Sequence, residues 1–250
     1  MNENRFDGKG ALYAQFRPSY PPALFDFLRD AGVLNPSAHA ADIGAGTGIF
    51  TRLLASRVHS VLAVEPNDDM RREGIRLCPG NVRFVSGSAE STGLPDASLD
   101  LIAAAQAFHW FGRDAFRTEC RRILRPGGWV LLVWNRRDEN SPLIRALADV
   151  NRKFCPRFKG FSGGGNHDPE DFFQGRFRQA SFPNDSLCTE EAFIGRCLSS
   201  SYAPGPDCFP YRQALSALFR RFCREGVLSY PYVTVCFFGR LSEDGADVLL

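Results

Sequence analysis

Residues 40–50 read AADIGAGTGIF, and this stretch decides the fold. Its first half completes a predicted apolar strand, His39–Ile43, and its second half opens a predicted helix, Thr47–Arg57, with apolar residues on one face. Three glycines in the intervening turn alternate with other residues: Gly44, Gly46 and Gly48. Glycine lets a backbone turn sharply and approach a ligand closely. In an open parallel sheet, such a turn lies at the carboxyl end of a strand, where ligands bind.

Strand and helix patterns alternate along the chain on both sides of this stretch. The other predicted strands of this region are short apolar runs: Ser60–Val64, Val82–Ser86, Leu99–Ala105 and Trp129–Trp134. The other predicted helices are Ala23–Ala31, Asp68–Leu77 and Arg113–Leu124. This alternation predicts an α/β protein, in which a doubly wound parallel sheet is covered by helices on both faces and joined by right-handed crossovers.

The alternation breaks after Asn135. In the remaining chain the predicted helices are Pro142–Phe154, Thr189–Leu198 and Tyr211–Glu225, and the predicted strands are Phe177–Cys188 and Tyr230–Arg240. Residues 138–175 contain a glycine-rich run and are expected to form an inserted cap. Residues 1–36 carry four prolines and are expected to form a lid segment. The whole chain, 1–250, is expected to be one domain.

Composition excludes several classes of protein. The 250 residues are 44% hydrophobic and 23% charged, which excludes global disorder. A net charge of +2 argues against a nucleic-acid partner. The longest uncharged apolar stretch, Leu101–Gly112, is too short to span a membrane, and the N-terminus carries no apolar signal segment. The eight cysteines form no CxxC pair, so we expect no metal site and reduced thiols in a cytoplasmic protein.

An acidic residue at the end of the second strand narrows the choice of ligand. Glu65 lies 19 residues after Gly46, since 65 − 46 = 19, and a carboxylate at this place accepts both hydroxyls of a ribose. A dinucleotide fingerprint, GxGxxG, requires a glycine at position 49, where this chain has Ile49. An oxidoreductase that uses NAD is therefore disfavoured, although it stays among the alternatives.

Three motifs together resemble the class I S-adenosylmethionine-dependent methyltransferases. They are ADIGAGTG at 41–48, SAE at 88–90 followed by LPDASLDLI at 94–102, and RILRPGGWVLLVWN at 122–135. The resemblance implies a Rossmann-like, seven-stranded sheet whose last strand is antiparallel, and S-adenosyl-L-methionine as cofactor. YAQFRPSYP at 13–21 and AQAFHWF at 105–111 are similar to a small-molecule subgroup that includes trans-aconitate-type carboxyl methyltransferases.

The resemblance also implies which residues bind the cofactor. They are Tyr13, Arg17, Asp42, Gly44, Gly46, Gly48, Glu65, Met70, Ser88, Ala89, Glu90 and Gln106. The glycines lie beneath the methionine part, Asp42 meets its ammonium group, and Gln106 faces it. Tyr13 and Arg17 fold over the cofactor and bind its carboxylate.

Five of these residues belong to the adenosine side or to its loop. Glu65 holds the ribose, while Ser88 and the Ala89 N–H meet the adenine edge. Met70 lies either against the adenine or in helix packing, and Glu90 is expected to organise the loop.

His109 and Trp110 follow the fourth strand, where the acceptor should lie. His109 either takes a proton from the acceptor or binds an anionic one, or it packs against Trp110 and holds the loop.

The chain lacks the NPPY motif of DNA amino methyltransferases and the paired glutamates of protein arginine methyltransferases. We therefore predict a methyltransferase acting on a small molecule, with a carboxylate as one candidate acceptor, as a monomer or homodimer. A non-catalytic S-adenosylmethionine-binding partner protein is the alternative.

Overall fold

The computed structural model describes residues 18–161, 169–200 and 202–241. Tyr13, Arg17, the start of the predicted lid segment and the glycine run at 163–165 lie outside the described residues. The structure therefore does not test the predictions for these residues.

A seven-stranded sheet forms the centre of the molecule. Its strands are β1 (His39–Ile43), β2 (Ser60–Val64), β3 (Val82–Val85), β4 (Leu99–Ala105), β5 (Leu124–Arg137), β6 (Arg178–Pro183) and β9 (Tyr232–Gly239). They are arranged in the order β3-β2-β1-β4-β5-β9-β6, and β9 is antiparallel to both of its neighbours. The predicted sheet, mostly parallel with an antiparallel last strand, is confirmed. A second, two-stranded sheet pairs β7 (Ser186–Cys188) with β8 (Leu228–Tyr230).

Helices cover both faces of the large sheet. The helices are α1 (Pro22–Asp30), α2 (Ile49–Ala55), α3 (Asp68–Leu77), α4 (Arg113–Ile123), α5 (Pro142–Phe154), α6 (Glu170–Phe173), α7 (Glu190–Leu198) and α8 (Phe209–Phe222). Apolar side chains of α4 and α6 pack on one face, and those of α1 and α2 pack on the other. Both faces of the central strands are therefore buried, which explains their continuous apolar sequences.

Two strand predictions are wrong, and proline is involved in both places. The segment Phe177–Cys188 is not one strand, since β6 ends at Pro183 and β7 begins at Ser186 in the other sheet. The segment Tyr230–Arg240 is likewise divided between β8 and β9 at Pro231. Proline has no N–H to donate to a neighbouring strand, so it is found where a ladder of hydrogen bonds ends.

Strand β5 extends past its predicted end at Trp134 to Arg137. Its last residue pairs with Tyr232, the first residue of β9. A third apolar cluster, built from α5, α7, α8, β7 and β8, includes Tyr232. This cluster is named the cap cluster below. It meets the large sheet where β5 ends and β9 begins, at the carboxyl edge of the parallel strands.

The described part of the chain contains neither a membrane-spanning helix nor a metal-binding cluster. None of its helices has the length and hydropathy needed to cross a bilayer. Within the same residues, histidine, cysteine, aspartate and glutamate form no group of three or more that could hold a metal ion.

Close packing of α3 against β3 leads to a stability prediction. A Cβ added at Gly74 would overlap the Phe84 ring, so Gly74→Ala should lower the free energy of unfolding by about 1–3 kcal/mol, the usual cost of overpacking. Gly80 precedes β3 and has nothing within 4 Å of an added Cβ. Gly80→Ala should therefore be neutral or slightly stabilising. Urea unfolding of both variants tests the assignment, and equal effects would contradict it.

Candidate active site

The glycine turn is bonded to the end of the neighbouring strand. The N–H groups of Gly44 and Ala45 both donate to the Val64 carbonyl, at 2.8 and 3.1 Å. Gly44, Gly46 and Gly48 all have positive φ, between 57° and 77°, a conformation that other residues seldom adopt. The turn therefore needs glycine for its own backbone shape, whatever it binds.

The three glycines differ in what surrounds them. A Cβ at Gly44 would lie 2.6 Å from Ala107 Cβ, and a Cβ at Gly48 would lie 2.5 Å from Cys78 Sγ. At Gly46 an added Cβ would have no described atom within 4 Å. Gly44 and Gly48 thus allow close packing within the protein. Among the described residues Gly46 borders open space, so it is the glycine that a bound ligand could approach.

Glu65 joins the glycine turn to the start of α3. One carboxylate oxygen accepts the Gly46 N–H at 2.8 Å, and the other accepts the Asn67 N–H at 2.9 Å. Asn67 in turn caps α3 by accepting the N–H of Met70 at 3.0 Å. Glu65 is 8% exposed and Met70 is buried, so the carboxylate is largely shielded from water. It also lies next to Gly46, where the described chain leaves open space.

Asp42, at the penultimate position of β1, is buried beside this turn. Its Oδ2 accepts the Thr51 hydroxyl at 2.6 Å, whereas Oδ1 has no hydrogen-bond partner among the described residues. Burial raises the pKa of Asp42 to about 7, against the lowering effect of the Thr51 hydrogen bond and with a further rise from the Glu65 charge. The Thr47 hydroxyl is also buried and also lacks a partner in the described chain. Sequence analysis did not select Thr47.

Gln106 follows β4 in a strained backbone conformation. Its φ is +58°, although it is not glycine. Its N–H donates to the Val133 carbonyl at 2.8 Å, and its side-chain amide donates to the Asn135 carbonyl at 3.0 Å. Such left-handed residues are often found at functional sites, where surrounding structure holds them in place. The two bonds fix Gln106 at the carboxyl edge of the sheet.

His109 and Trp110 lie in a short 3₁₀ helix directly after Gln106. Their rings are 4.7 Å apart between centroids and inclined by 46°, and Trp110 is 40% exposed. Trp110 is therefore exposed and His109 half-buried, in a segment whose Ala107 and Phe111 pack against the glycine turn at Gly44.

The loop after β3 carries Ser88, Ala89 and Glu90. Ala89 is buried, and the Ser88 hydroxyl accepts the Ser91 N–H at 3.2 Å. Glu90 accepts the Gly112 N–H at 2.7 Å, which ties this loop to the segment after His109.

An amide network that sequence analysis missed lies beside Gln106. The Asn135 carboxamide oxygen accepts from Thr234 at 2.5 Å and from Asn184 at 3.1 Å. Both asparagine side chains also donate to the Ser19 carbonyl, at 3.1 Å from Asn135 and 2.8 Å from Asn184. The network fastens the beginning of the described chain to the ends of β5, β6 and β9. Asn135, a polar residue closing an apolar strand, was the one signal available in the sequence.

Comparison with known proteins identifies the family. Residues 41–132 match the methyltransferase domain family. An uncharacterized methyltransferase of Mycobacterium tuberculosis is 33% identical over 241 residues, which cover 92% of this chain and 93% of the relative. This chain belongs to the class I S-adenosylmethionine-dependent methyltransferases. The chain is therefore a methyltransferase enzyme. The two alternatives that the sequence left open, an NAD-dependent oxidoreductase and a non-catalytic partner protein, are not supported.

Two other proteins extend the comparison. A solved structure from Anaeromyxobacter dehalogenans, provisionally named a type II methyltransferase, has a TM-score of 0.69 and 26% identity and covers 90% of this methyltransferase and 98% of its own chain. A malonyl-[acyl-carrier protein] O-methyltransferase of Methylococcus capsulatus is 38% identical over 128 residues, which cover 49% of this chain and 44% of the relative.

The cofactor of the family is S-adenosylmethionine, and the residues present fit it. Asp42 offers a buried carboxylate oxygen without a partner in the described chain, which matches a cationic ammonium group. The open space beside Gly46 gives the ligand access to the turn. Glu65 lies at the border of that space.

The double contact of Glu65 leads to a prediction. Glu65→Ala leaves the N–H groups of Gly46 and Asn67 without their acceptor, and should lower the free energy of unfolding by about 1–3 kcal/mol. Glu90→Ala is the matched control, because that carboxylate accepts a single N–H at an exposed position and should cost under about 1 kcal/mol. Urea unfolding in the absence of cofactor measures both. Equal losses would show that Glu65 does not hold the turn.

Proposed function

We propose that this methyltransferase transfers a methyl group from S-adenosylmethionine to an oxygen of a small acidic molecule in the cytoplasm. The observation that carries the cofactor part is the buried Asp42 oxygen without a partner in the described chain, at the base of the turn whose Gly46 has no described atom near an added Cβ. The acceptor part is supported by the malonyl-[acyl-carrier protein] O-methyltransferase among the relatives and by the similarity of AQAFHWF to trans-aconitate-type enzymes. All eight cysteines are free thiols, which supports a reducing compartment.

Each cofactor residue has a proposed task. Asp42 binds the ammonium group, Glu65 the ribose hydroxyls, and Gly46 allows the ligand to reach the turn. Met70, Ser88, Ala89 and Gln106 complete the site, with Gly44, Gly48 and Glu90 holding its loops. Tyr13 and Arg17 bind the cofactor carboxylate in this proposal.

Methyl transfer requires the alignment of donor and acceptor more than it requires a general acid or base. When bound, S-adenosylmethionine supplies an activated methyl group. Held by Asp42, Glu65 and the glycine turn, it would supply that methyl group to an acceptor oxygen and would leave as a neutral thioether. Holding two reactants in line accounts for several kcal/mol of a barrier. A carboxylate acceptor has no proton to lose, so His109 then orients the acceptor. It acts as a base only for an acceptor that carries a proton.

Binding and turnover test the proposal directly. Titration calorimetry should show S-adenosylhomocysteine binding with micromolar affinity and no competition from NAD. A panel of acids and their matched alcohols with labelled methyl donor should then show labelled esters. Binding of NAD without a response to S-adenosylhomocysteine would overturn the cofactor part. Labelled product from the alcohols alone would overturn the acidic acceptor.

The open space at Gly46 generates the next prediction. Gly46→Val should fold but lose binding of S-adenosylhomocysteine by at least about 100-fold, because its side chain occupies the space of the ligand. Gly127→Val is the matched control. It has a similar positive φ and the same absence of described atoms around an added Cβ, and it lies at the opposite end of β5. It should show a comparable strain cost and unchanged affinity. Equal affinity losses in the two variants would contradict the assignment.

The raised pKa of Asp42 predicts proton release on binding. A cationic ligand stabilises the ionised carboxylate and lowers its pKa from about 7. S-adenosylhomocysteine binding should therefore release roughly half a proton at pH 7 and close to one at pH 6, so affinity rises with pH and levels off above about pH 7. Calorimetry in buffers of different ionisation enthalpy measures the release. Asp42→Asn should abolish it, and release of the same size from that variant would refute the role of Asp42.

A further inference from the structure

An arginine lies past the carboxyl edge of the sheet, within the cap cluster. Arg137 is the last residue of β5 and is half-buried. Its Nε donates to the Tyr230 hydroxyl at 2.8 Å, and its guanidinium lies 4.6 Å from the centroid of the Phe161 ring. The Tyr232 ring lies 5.9 Å away. Aromatic side chains thus surround the cation.

Arg137 has no ion pair within the described residues. The side chains that contact its guanidinium among the described residues are aromatic and include Tyr230 and Tyr232. A second cation, Arg196, lies over the same two rings, 5.0 Å from Tyr230 and 5.5 Å from Tyr232. Two guanidinium groups therefore share one aromatic environment. Removing the Arg137 cation from water without a counter-charge is costly, so its environment favours a ligand that brings negative charge.

The position of Arg137 follows from the strand register. Gln106 lies beside β5, and its amide reaches the Asn135 carbonyl. Arg137 lies two residues further, so its side chain leaves the strand on the same face as that of Asn135, about 7 Å along. Arg136 leaves on the opposite face, where it lies over Trp134 and Phe237. The cation therefore lies on the Asn135 face just beyond the edge where the cofactor residues meet.

We propose that Arg137 binds the carboxylate of the acceptor and that the aromatic side chains around it bind the apolar part. This inference rests on the proposed function, because it places the acceptor against a cofactor held at the glycine turn. An arginine fork matches a carboxylate with two parallel hydrogen bonds. Phe158 contacts both Phe161 and Tyr202, at ring separations of 5.1 and 4.9 Å, and extends the apolar wall. The acceptor is accordingly an amphipathic acid, not a sugar or a free inorganic anion.

Calorimetry on the full chain tests this assignment. The protein is first saturated with S-adenosylhomocysteine, then titrated with hexanoate, decanoate and 4-phenylbutyrate, and with the alcohol matching each acid. At least one acid should bind more tightly than its alcohol by tenfold or more. Arg137→Gln should abolish that preference and leave alcohol binding unchanged. Arg137→Lys should keep part of it, since lysine retains the charge and loses the fork.

Arg136→Gln is the matched control, and it should bind the acids as the unaltered chain does. Thermal melting of each variant and its affinity for S-adenosylhomocysteine establish that the fold and the cofactor site are intact. If Arg137→Gln does not fold, Arg137→Lys alone decides, and an undiminished preference in that variant counts against the fork. Equal binding of every acid and alcohol, or an acid preference that survives Arg137→Gln, overturns the inference. Failure to bind S-adenosylhomocysteine would instead overturn the proposed function.

Discussion

The carboxylate of Glu65 is the contact on which the site depends. It accepts one N–H from the turn after β1 and one from the segment after β2, at 2.8 and 2.9 Å. The two segments meet because β1 and β2 are parallel and in register, with Ile43 opposite Val64. A side chain that ends one strand can therefore hold the turn that ends its neighbour. Glu65, which the sequence predicts to bind the ribose, therefore also holds the glycine turn in its shape.

Two features of this edge are unfavourable for folding. Asp42 keeps a buried carboxylate oxygen without a partner in the described chain, and Gln106 holds a left-handed backbone. Each costs free energy in the unliganded protein. The sheet tolerates them because its central strands are buried on both faces between two apolar clusters. The strained backbone and the carboxylate oxygen without a described partner thus lie at the same edge of the sheet, where we propose that the cofactor binds.

The sequence predicted the core better than the periphery for physical reasons. Strands β1, β2 and β4 were predicted with their observed bounds, because buried parallel strands are continuous apolar runs. The strands around Pro183 and Pro231 were not: proline marks the end of a ladder locally, but which sheet each part joins depends on long-range pairing. The Asn135 network was missed for the same reason, since its partners lie 49 and 99 residues away in the chain.

Strand β5 links the two halves of the proposed reaction. Where β5 lies beside β4, its side chains are apolar on both faces. Beyond the last residue that pairs with β4, successive side chains of β5 alternate between two environments. Asn135 and Arg137 share one face, where the first bonds to the segment after β4 through its carbonyl and the second enters the cap cluster. Because successive residues of one face are about 7 Å apart, a single rigid strand sets the distance between the cofactor edge and the cation. In this proposal the sheet sets the distance between the cofactor and Arg137, and the side chains of the cap cluster hold the Arg137 side chain and contact the apolar part of the acceptor.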